Sequence, residues 1–226
     1  MTYIARVPAT LQIHRAVAPR GGVVVLPDVQ GVDGPLAERI AALVGAGWDV
    51  VVPDTWWREG GRPDVSTAAA AAAAWAGMND LGAVADAVQA REALTAGLPR
   101  FLLGVGAGGV HARMAACMAG SGLTGVVAFE GRLVHGSLGP HRPAQPLDLL
   151  PGLGCPLLVH VPGEDPSIPP AHIDALRERL AHVRATALVH VYEGATRGFS
   201  CGGSLAARTA WARTHAFLEH LAGAAG

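Results

Sequence analysis

Short apolar runs of strand length alternate along the chain with segments of helical periodicity. The first clear buried strand covers 22–27 and the next covers 48–53. Between them, Asp33 and Pro35 predict the start of a helix, and Gly45 predicts its end. Because parallel strands need crossover connections, usually helices, this alternation predicts βαβ units on a mostly parallel sheet.

The same alternation continues to the C-terminus without a repeat or an interdomain linker. Further strands are predicted at 101–103, 124–129, 156–161 and 187–192, with helices over 66–98, up to Met118, over 169–183 and from Ser204 onward. The stretch 131–154 is rich in proline and glycine and predicts a long loop. We therefore expect one α/β domain over residues 1–226, a twisted sheet with helices on both faces.

Composition narrows the possible partners. Half of the 226 residues are apolar and 15% are charged, which is typical of a folded chain with a sizeable core. The 17 basic and 18 acidic residues leave a formal charge of -1, so neither nucleic acid nor a membrane surface is an expected partner. We expect a small-molecule ligand and a monomer or small homo-oligomer. The chain contains no lysine, which excludes Schiff-base chemistry on a side-chain amine.

Cysteine and histidine patterns give no sign of a metal site, and no cofactor is predicted. Three scattered cysteines are too few for a disulfide framework or a structural zinc site, and the ten histidines show no HExxH spacing. The N-terminal stretch contains no basic segment followed by an apolar one, and no apolar run approaches the ~20 residues of a spanning helix, so we expect neither export nor membrane insertion. These patterns favour a cytoplasmic location.

Chemistry-bearing residues follow the predicted strands. Ligands of parallel sheets bind at the carboxyl ends of the strands, so these positions are the first candidates for a site. In chain order they are Asp28, Arg58, the turn Gly104–Gly109, Glu130, Asp165 and Arg197.

Six segments carry a resemblance that covers nearly the whole chain. They read LPDVQGVDG, VVPDTWWR, LLGVGAGG, VVAFEGRL, LLVHVPGEDP and VYEGATRGF. In this order and spacing they resemble the dienelactone hydrolase family of α/β-hydrolases. The resemblance implies the α/β-hydrolase fold and a Cys or Ser nucleophile, an Asp and a His in chain order.

Two of these three catalytic positions hold residues that cannot do the family's chemistry. The matching positions are Gly106, Asp165 and Arg197. Glycine has no side chain to attack a carbonyl, and arginine stays protonated at neutral pH. The covalent acyl-enzyme route is therefore unavailable at the usual position.

The resemblance also suggests what replaces the lost groups. Asp165 is expected to form an ion pair with Arg197 in place of the Asp–His pair, either as part of a site or as a structural plug. The backbone N–H groups of Ala107 and Val29 are expected to form an anion-binding pair at the elbow, or to be structural remains of one.

Substrate contacts are expected from three further residues. Arg58 matches a family arginine that grips a substrate carboxylate, while a solvated loop residue is the alternative. A second such arginine is replaced by Cys201, which is also a candidate displaced nucleophile or an idle small residue. Of the adjacent Trp56 and Trp57, one is expected to line the pocket and the other to pack, and Trp57 is taken as the substrate contact.

Asp28 and Glu130 are the candidate acid and base. Two carboxylates in one apolar crevice, desolvated to different extents, can divide these roles. Ordinary caps and turns at strand ends are the alternative for both. His111, His135 and His141 are possible proton carriers, and each is equally explained as a packed or loop histidine.

Four functions compete on this sequence. The preferred one is a non-hydrolytic acid/base enzyme, of isomerase, cyclase, dehydratase or decarboxylase type, acting on a small oxygenated or anionic, lactone- or polyketide-like molecule. The others are a non-catalytic ligand-binding protein, a hydrolase that uses Cys201 or an activated water, and a dinucleotide-binding protein. The last rests on the GxGxxG pattern of Gly104–Gly109, with Glu130 about 20 residues further on.

Overall fold

The computed structural model describes residues 10–119 and 122–224. The strands are β1 (Leu11–His14), β2 (Gly21–Leu26), β3 (Trp48–Pro53), β4 (Arg100–Val105), β5 (Gly125–Phe129), β6 (Leu157–Pro162) and β7 (Ala187–Tyr192). The α-helices are α1 (Gly34–Gly45), α2 (Ala68–Gly77), α3 (Asp80–Glu92), α4 (Ala107–Ala119), α5 (Pro170–His182) and α6 (Leu205–Ala224).

The strands form a seven-stranded sheet in the order β1-β3-β2-β4-β5-β6-β7. All neighbouring strands are parallel except β1, which runs antiparallel to β3. The predicted mostly parallel sheet of the α/β-hydrolase fold is confirmed. From β2 the chain crosses first to β3 on one side and later to β4 on the other, so a crevice opens between these carboxyl ends.

Helices cover both faces of the sheet, as predicted, because the central strands are apolar on both sides. Strands β2, β3 and β6 are buried along their whole length. Helices α1 and α6 pack on one face with Trp48, Phe129 and Trp211. Helices α3, α4 and α5 pack on the other face with Val110 and Leu176.

The segment predicted as continuously helical over 66–98 divides into two helices. Met78 has extended backbone angles at the end of α2, and Asn79 then caps α3 by accepting the Gly82 N–H. The break separates the alanine-rich α2 from α3. The predicted loop after Gly131 contains a 3-10 helix over Pro146–Gly152.

The first nine residues lie outside the described residues, and they form about half of the N-terminal stretch 1–17 on which the prediction about an export signal rests. Within 10–119 and 122–224, no helix combines the length and the apolar character needed to cross a membrane.

Candidate active site

A glycine forms the turn between β4 and α4. Gly106 has φ +56°, in the left-handed region that favours glycine, and its N–H donates to the Phe129 carbonyl at 2.9 Å. The helix begins directly at Ala107. Gly108 lets this helix approach β2, since a Cβ there would lie 1.9 Å from the Leu26 carbonyl oxygen. The strand-to-helix elbow therefore persists without a side chain at its apex.

The carboxylate of Asp28 fills the space that an elbow side chain would need. A Cβ at Gly106 would lie 2.2 Å from the Asp28 carboxyl carbon and 2.4–2.5 Å from both of its oxygens. One of these oxygens accepts the Ala107 N–H at 2.8 Å. The expected anion-binding pair of Ala107 and Val29 is thus not open, because the Ala107 donor is taken by the protein's own carboxylate.

Arg197 faces Asp28 and not Asp165, so the expected Asp165–Arg197 ion pair is wrong. The Arg197 guanidinium lies 3.8 Å from the Asp28 carboxylate, with 39% of its side chain exposed. Asp165 instead accepts the Ser167 N–H at 2.8 Å, and its Oδ2 is buried without a hydrogen-bond partner among the described residues. The sequence could not reveal this pairing, because only the fold shows that Asp28, after the end of β2, occupies the space beside Gly106 and faces Arg197.

Glu130 is a buried carboxyl group held in an unusual backbone conformation. Its φ is +56°, which is rare outside glycine, and its side chain accepts the N–H groups of Gly198 and Ser200, the latter at 2.7 Å. Burial raises the pKa of the Glu130 carboxyl above its ordinary value, and the Asp28 charge adds to the rise against these donors. Glu130 therefore holds a proton to higher pH than an exposed glutamate does.

Cys201 lies close to Ser200, in surroundings that raise the pKa of its thiol. Burial raises the pKa of Cys201, and the carboxylates of Asp33, Glu130 and Asp28 raise it further, against a contact with Ser200. Its Sγ lies 3.9 Å from the Ser200 hydroxyl. A reactive thiolate needs the opposite electrostatic setting.

Two predicted substrate contacts are engaged inside the protein. Arg58 makes a bidentate ion pair with the fully buried Asp86, at 2.5 and 2.7 Å. The Trp57 indole N–H donates to the same carboxylate at 3.1 Å, and the Arg58 guanidinium stacks over the Trp57 ring at 4.4 Å. Asp86 on α3 thus holds the place that a ligand carboxylate would take. It is Trp56, whose indole donates to the Val29 carbonyl, that lines a cavity of about 280 Å³ on the β1 side.

Two cavities of about 330 Å³ each meet at Asp28 and Arg197. The first, here called the acid cavity, also contains Glu130, Gly198 and Cys201. The second, here called the arginine cavity, contains Val29, Trp75 and Arg132 and is walled by small alanines of α2. The structure therefore brings Asp28, Glu130, Arg197 and Cys201 together. It leaves Arg58, Trp57 and Asp165 out of the residues that line these two cavities.

Arg132 is a candidate binding residue that the sequence analysis missed. It lies two residues after Glu130, and its Nε is buried without a hydrogen-bond partner among the described residues. Burial lowers the pKa of Arg132, and the nearby Arg197 charge lowers it further, while Asp165 and Asp28 act in the other direction. Its position just past the end of β5 was the available signal.

The histidines named as possible proton carriers lie behind the arginine cavity. His111 and His135 are buried, and each contacts one oxygen of the fully buried Asp80, at 3.1 and 2.9 Å. The rings of both also contact Trp75. His141, on the loop, contacts the Gly77 carbonyl. These contacts fasten the loop that carries Arg132 to the α2–α3 junction. Within 10–119 and 122–224, no three or more His, Cys, Asp or Glu side chains are grouped so that they could hold a metal ion.

Comparison with known proteins agrees with this architecture. The sequence profile of the dienelactone hydrolase family matches residues 7–222. No curated protein matches the chain at a significant level.

Three solved structures illustrate the shared fold. An assigned dienelactone hydrolase from Klebsiella pneumoniae subsp. pneumoniae MGH 78578 has a TM-score of 0.80 at 22% identity, over 92% of each chain. P91, a dienelactone hydrolase-like promiscuous phosphotriesterase from metagenomic libraries, has a TM-score of 0.73 at 20% identity, over 93% of this chain and 92% of P91. TT1662 from Thermus thermophilus has a TM-score of 0.70 at 22% identity, over 95% and 94%.

The profile match spans almost the whole chain, and the fold agrees with that of the solved structures. This protein belongs to the dienelactone hydrolase family.

Proposed function

We propose that this protein is an acid/base enzyme that moves a proton on a small oxygenated anion without forming a covalent acyl-enzyme. Isomerisation, cyclisation and dehydration begin with the loss of a proton, whereas decarboxylation breaks a C–C bond and needs only the final proton donation. One observation carries the proposal: the Asp28 carboxylate occupies the elbow, where a nucleophile would otherwise project into the crevice.

Asp28 is the proposed base. Its carboxylate accepts the Ala107 N–H at the start of α4 at 2.8 Å, and the Arg197 guanidinium lies 3.8 Å away. Its side chain is 22% exposed and borders both cavities, so a ligand in either one can reach it. Asp28 would remove a proton from a carbon next to a carbonyl, and the electron pair of that bond would pass to the carbonyl oxygen as an enolate.

Glu130 is the proposed acid. Its raised pKa favours the protonated form from which a proton can be given, and it lies on the wall of the acid cavity. Glu130 would donate to the enolate at a second carbon or to a departing oxygen. Asp28 would then release its proton to water, and Glu130 would take up a proton from water.

Arg132 and Arg197 are the proposed anion-binding groups. They repel each other across the arginine cavity, and the nearby Asp28 balances only part of their charge. A carboxylate or enolate between them would relieve this repulsion and fill the unmet donor capacity of Arg132. A cavity of about 330 Å³ suits a small molecule.

A hydrolase that uses an activated water is the second candidate. Its support is the family itself, with structural neighbours described as hydrolases and a phosphotriesterase. In that case Asp28 or Glu130 would deprotonate the water. A Cys201 nucleophile has less support because its pKa is raised. A dinucleotide has less support because Asp28 already occupies the helix N-terminus that would bind a pyrophosphate.

Proton exchange with solvent tests the proposal directly. The protein is incubated in D2O with a panel of oxo acids and enol lactones, such as acetoacetate, levulinate and α-angelica lactone, and deuterium incorporation is followed by proton NMR. We expect exchange or rearrangement of at least one compound. Asp28→Asn should reduce the rate at least ~100-fold and Glu130→Gln at least ~10-fold, within the range of general acid–base catalysis. Asp174→Asn, the same change on the exposed face of α5, is the control.

Three results would contradict the proposal. Absence of exchange and rearrangement across the panel, with tight binding of one compound, would indicate a non-catalytic binding protein. Hydrolysis of the lactone with oxygen from labelled water, retained in Cys201→Ala, would select the water-activating hydrolase. Hydrolysis abolished by Cys201→Ala would select the displaced nucleophile.

A further inference from the structure

The outer edge of β7 is open along the whole strand. In the described residues β7 pairs with β6 alone. The Thr186 carbonyl accepts from Leu157 and the Tyr192 carbonyl accepts from Gly163, both towards β6. Because backbone groups alternate sides along a strand, Ala187, Val189 and Val191 direct their N–H and C=O groups outward. These groups form a row of free donors and acceptors.

The strand lacks the features that usually protect such an edge. Its sequence, ALVHVY, contains neither proline nor a charged residue. Leu188 is 52% exposed, and Val189, His190 and Val191 are half-buried. Exposed sheet edges are normally shielded by charge, proline, a bulge or a covering segment. The opposite edge strand, β1, is shorter, with four residues. Strand β7 is therefore the edge suited to accept another strand.

We propose that the chain forms a symmetric homodimer in which β7 pairs antiparallel with β7 of a second copy. A two-fold axis at Val189 places this residue opposite its own equivalent and places Ala187 opposite Val191 of the second copy. All three outward-facing residues then occupy hydrogen-bonded positions, and each such pair exchanges two hydrogen bonds. A single two-fold axis thus pairs all the outward-facing backbone groups of β7, as a closed isologous interface requires.

Charges at the two ends of the strand favour this direction of pairing. Arg184 precedes β7 and Glu193 follows it; both are exposed, and neither has an ion-pair partner among the described residues. An antiparallel arrangement brings Arg184 of each copy near Glu193 of the other. A parallel arrangement would instead place like charges together at each end, which is unfavourable.

A groove beside the edge provides room for the second copy. It has a volume of about 420 Å³ and runs between α5 and β7, with Leu180 and Ala181 on one side and Ala187 and Val189 on the other. Under the two-fold operation the α5 helices of both copies lie on the same face of the joined sheet. The apolar side chains of the second strand then cover this groove.

The oligomeric state of the full chain tests the proposal. Sedimentation velocity over a concentration series should give a species of twice the 23.1 kDa chain mass. Val189→Asp places two carboxylates against each other at the axis and should shift the protein to monomer, with native circular dichroism. Ile13→Asp, at the 47%-exposed position on the opposite edge, is the matched control and should leave the dimer intact.

An exposed charge reversal keeps the test valid if Val189→Asp fails to fold. Arg184→Glu should raise the dimer dissociation constant about tenfold, and the double variant Arg184→Glu/Glu193→Arg should restore it. A wild-type monomer at all concentrations would overturn the proposal, and would leave the edge to a strand of another protein. A dimer that Ile13→Asp breaks, while Val189→Asp and Arg184→Glu do not, would also overturn it.

Discussion

At the scale of single residues, the site is defined by a glycine and an aspartate that share one volume. Gly106 has no Cβ, and the Asp28 carboxylate fills the space where that atom would be. The Ala107 N–H and Arg197 then hold the carboxylate in place. The sequence shows position 106 as a lost nucleophile, but in the fold the Asp28 carboxylate fills the space of that side chain.

The shared volume predicts strong coupling between the two positions. Gly106→Ala should lower the free energy of unfolding by about 2–3 kcal/mol, because alanine is strained at φ +56° and its Cβ meets Asp28. Asp28→Ala alone should cost about 1 kcal/mol through the unpaired Ala107 N–H. In the double variant the clash is gone, so the combined loss should fall about 1–2 kcal/mol short of the sum.

Urea unfolding of the wild type and the three variants measures this cycle. Additivity within about 0.5 kcal/mol would show that the Asp28 carboxylate does not occupy the elbow in solution. Gly60→Ala, at an exposed glycine with φ +80° and open surroundings, is a control for the backbone strain alone.

At the scale of elements, the sequence predicts the strands and the crevice well and the partners across elements poorly. Strand runs and glycine stops are local signals, so the strands from β2 to β7 and helices α1 and α5 lie within a few residues of their predicted positions. Asp86 on α3 captures Arg58, and Asp28 captures Arg197; both pairs join distant segments. No periodicity reports such contacts, which explains why the predicted Asp165–Arg197 pair was wrong.

Substitution of Arg58 should therefore affect mainly the stability of the protein, and substitution of Arg132 mainly the binding of substrate. Arg58→Ala leaves the buried Asp86 carboxylate without its cation and should lower the free energy of unfolding by about 2–3 kcal/mol. Its effect on the KM of the best substrate in the D2O panel should stay below twofold. Arg132→Ala should change stability by less than about 1 kcal/mol but raise that KM about tenfold or more.

Chemical denaturation and steady-state kinetics on the same two preparations provide the measurement. A large rise in KM for Arg58→Ala at unchanged stability would restore the ligand-gripping role that the sequence predicts. Arg177→Ala, an exposed arginine on α5, is the control for removing a positive charge.

At the scale of the whole molecule, one sheet serves as both core and platform. The carboxyl ends of its strands carry the site, and buried polar side chains within the fold hydrogen-bond to one another. His160 is fully buried in β6 and bonds to the Tyr192 hydroxyl at 2.8 Å and to Thr214 at 3.1 Å. Burial lowers the pKa of His160 to about 3, and the charges of His190 and Arg213 contribute to the fall. The folded protein therefore keeps this imidazole neutral.

His160 should make the whole fold sensitive to acid. Its pKa is about 6.5 in the unfolded chain, so below that pH the unfolded state binds a proton that the native state refuses. The stabilisation is complete above about pH 6.5 and is lost as the pH falls towards 3. Between pH 5.5 and 4 the free energy of unfolding should fall by up to ~1.4 kcal/mol per pH unit on this account.

The dependence of urea unfolding on pH measures this contribution. His160→Asn should be less stable than the wild type at pH 7 but should lose stability less steeply as the pH falls. His182→Asn, at an exposed histidine on α5, should keep the wild-type slope. Equal slopes for all three proteins would mean that the pKa of His160 is the same in the native and unfolded states.

The elbow also constrains how this chain can change over generations. A side chain at position 106 needs the space that the Asp28 carboxylate occupies, so this carboxylate must turn out of the elbow before such a side chain fits. The Ala107 N–H then loses its acceptor and becomes open to a ligand anion. In a homologous sequence with a nucleophile at position 106, an acidic residue at position 28 should therefore point away from the elbow and leave this donor to the substrate.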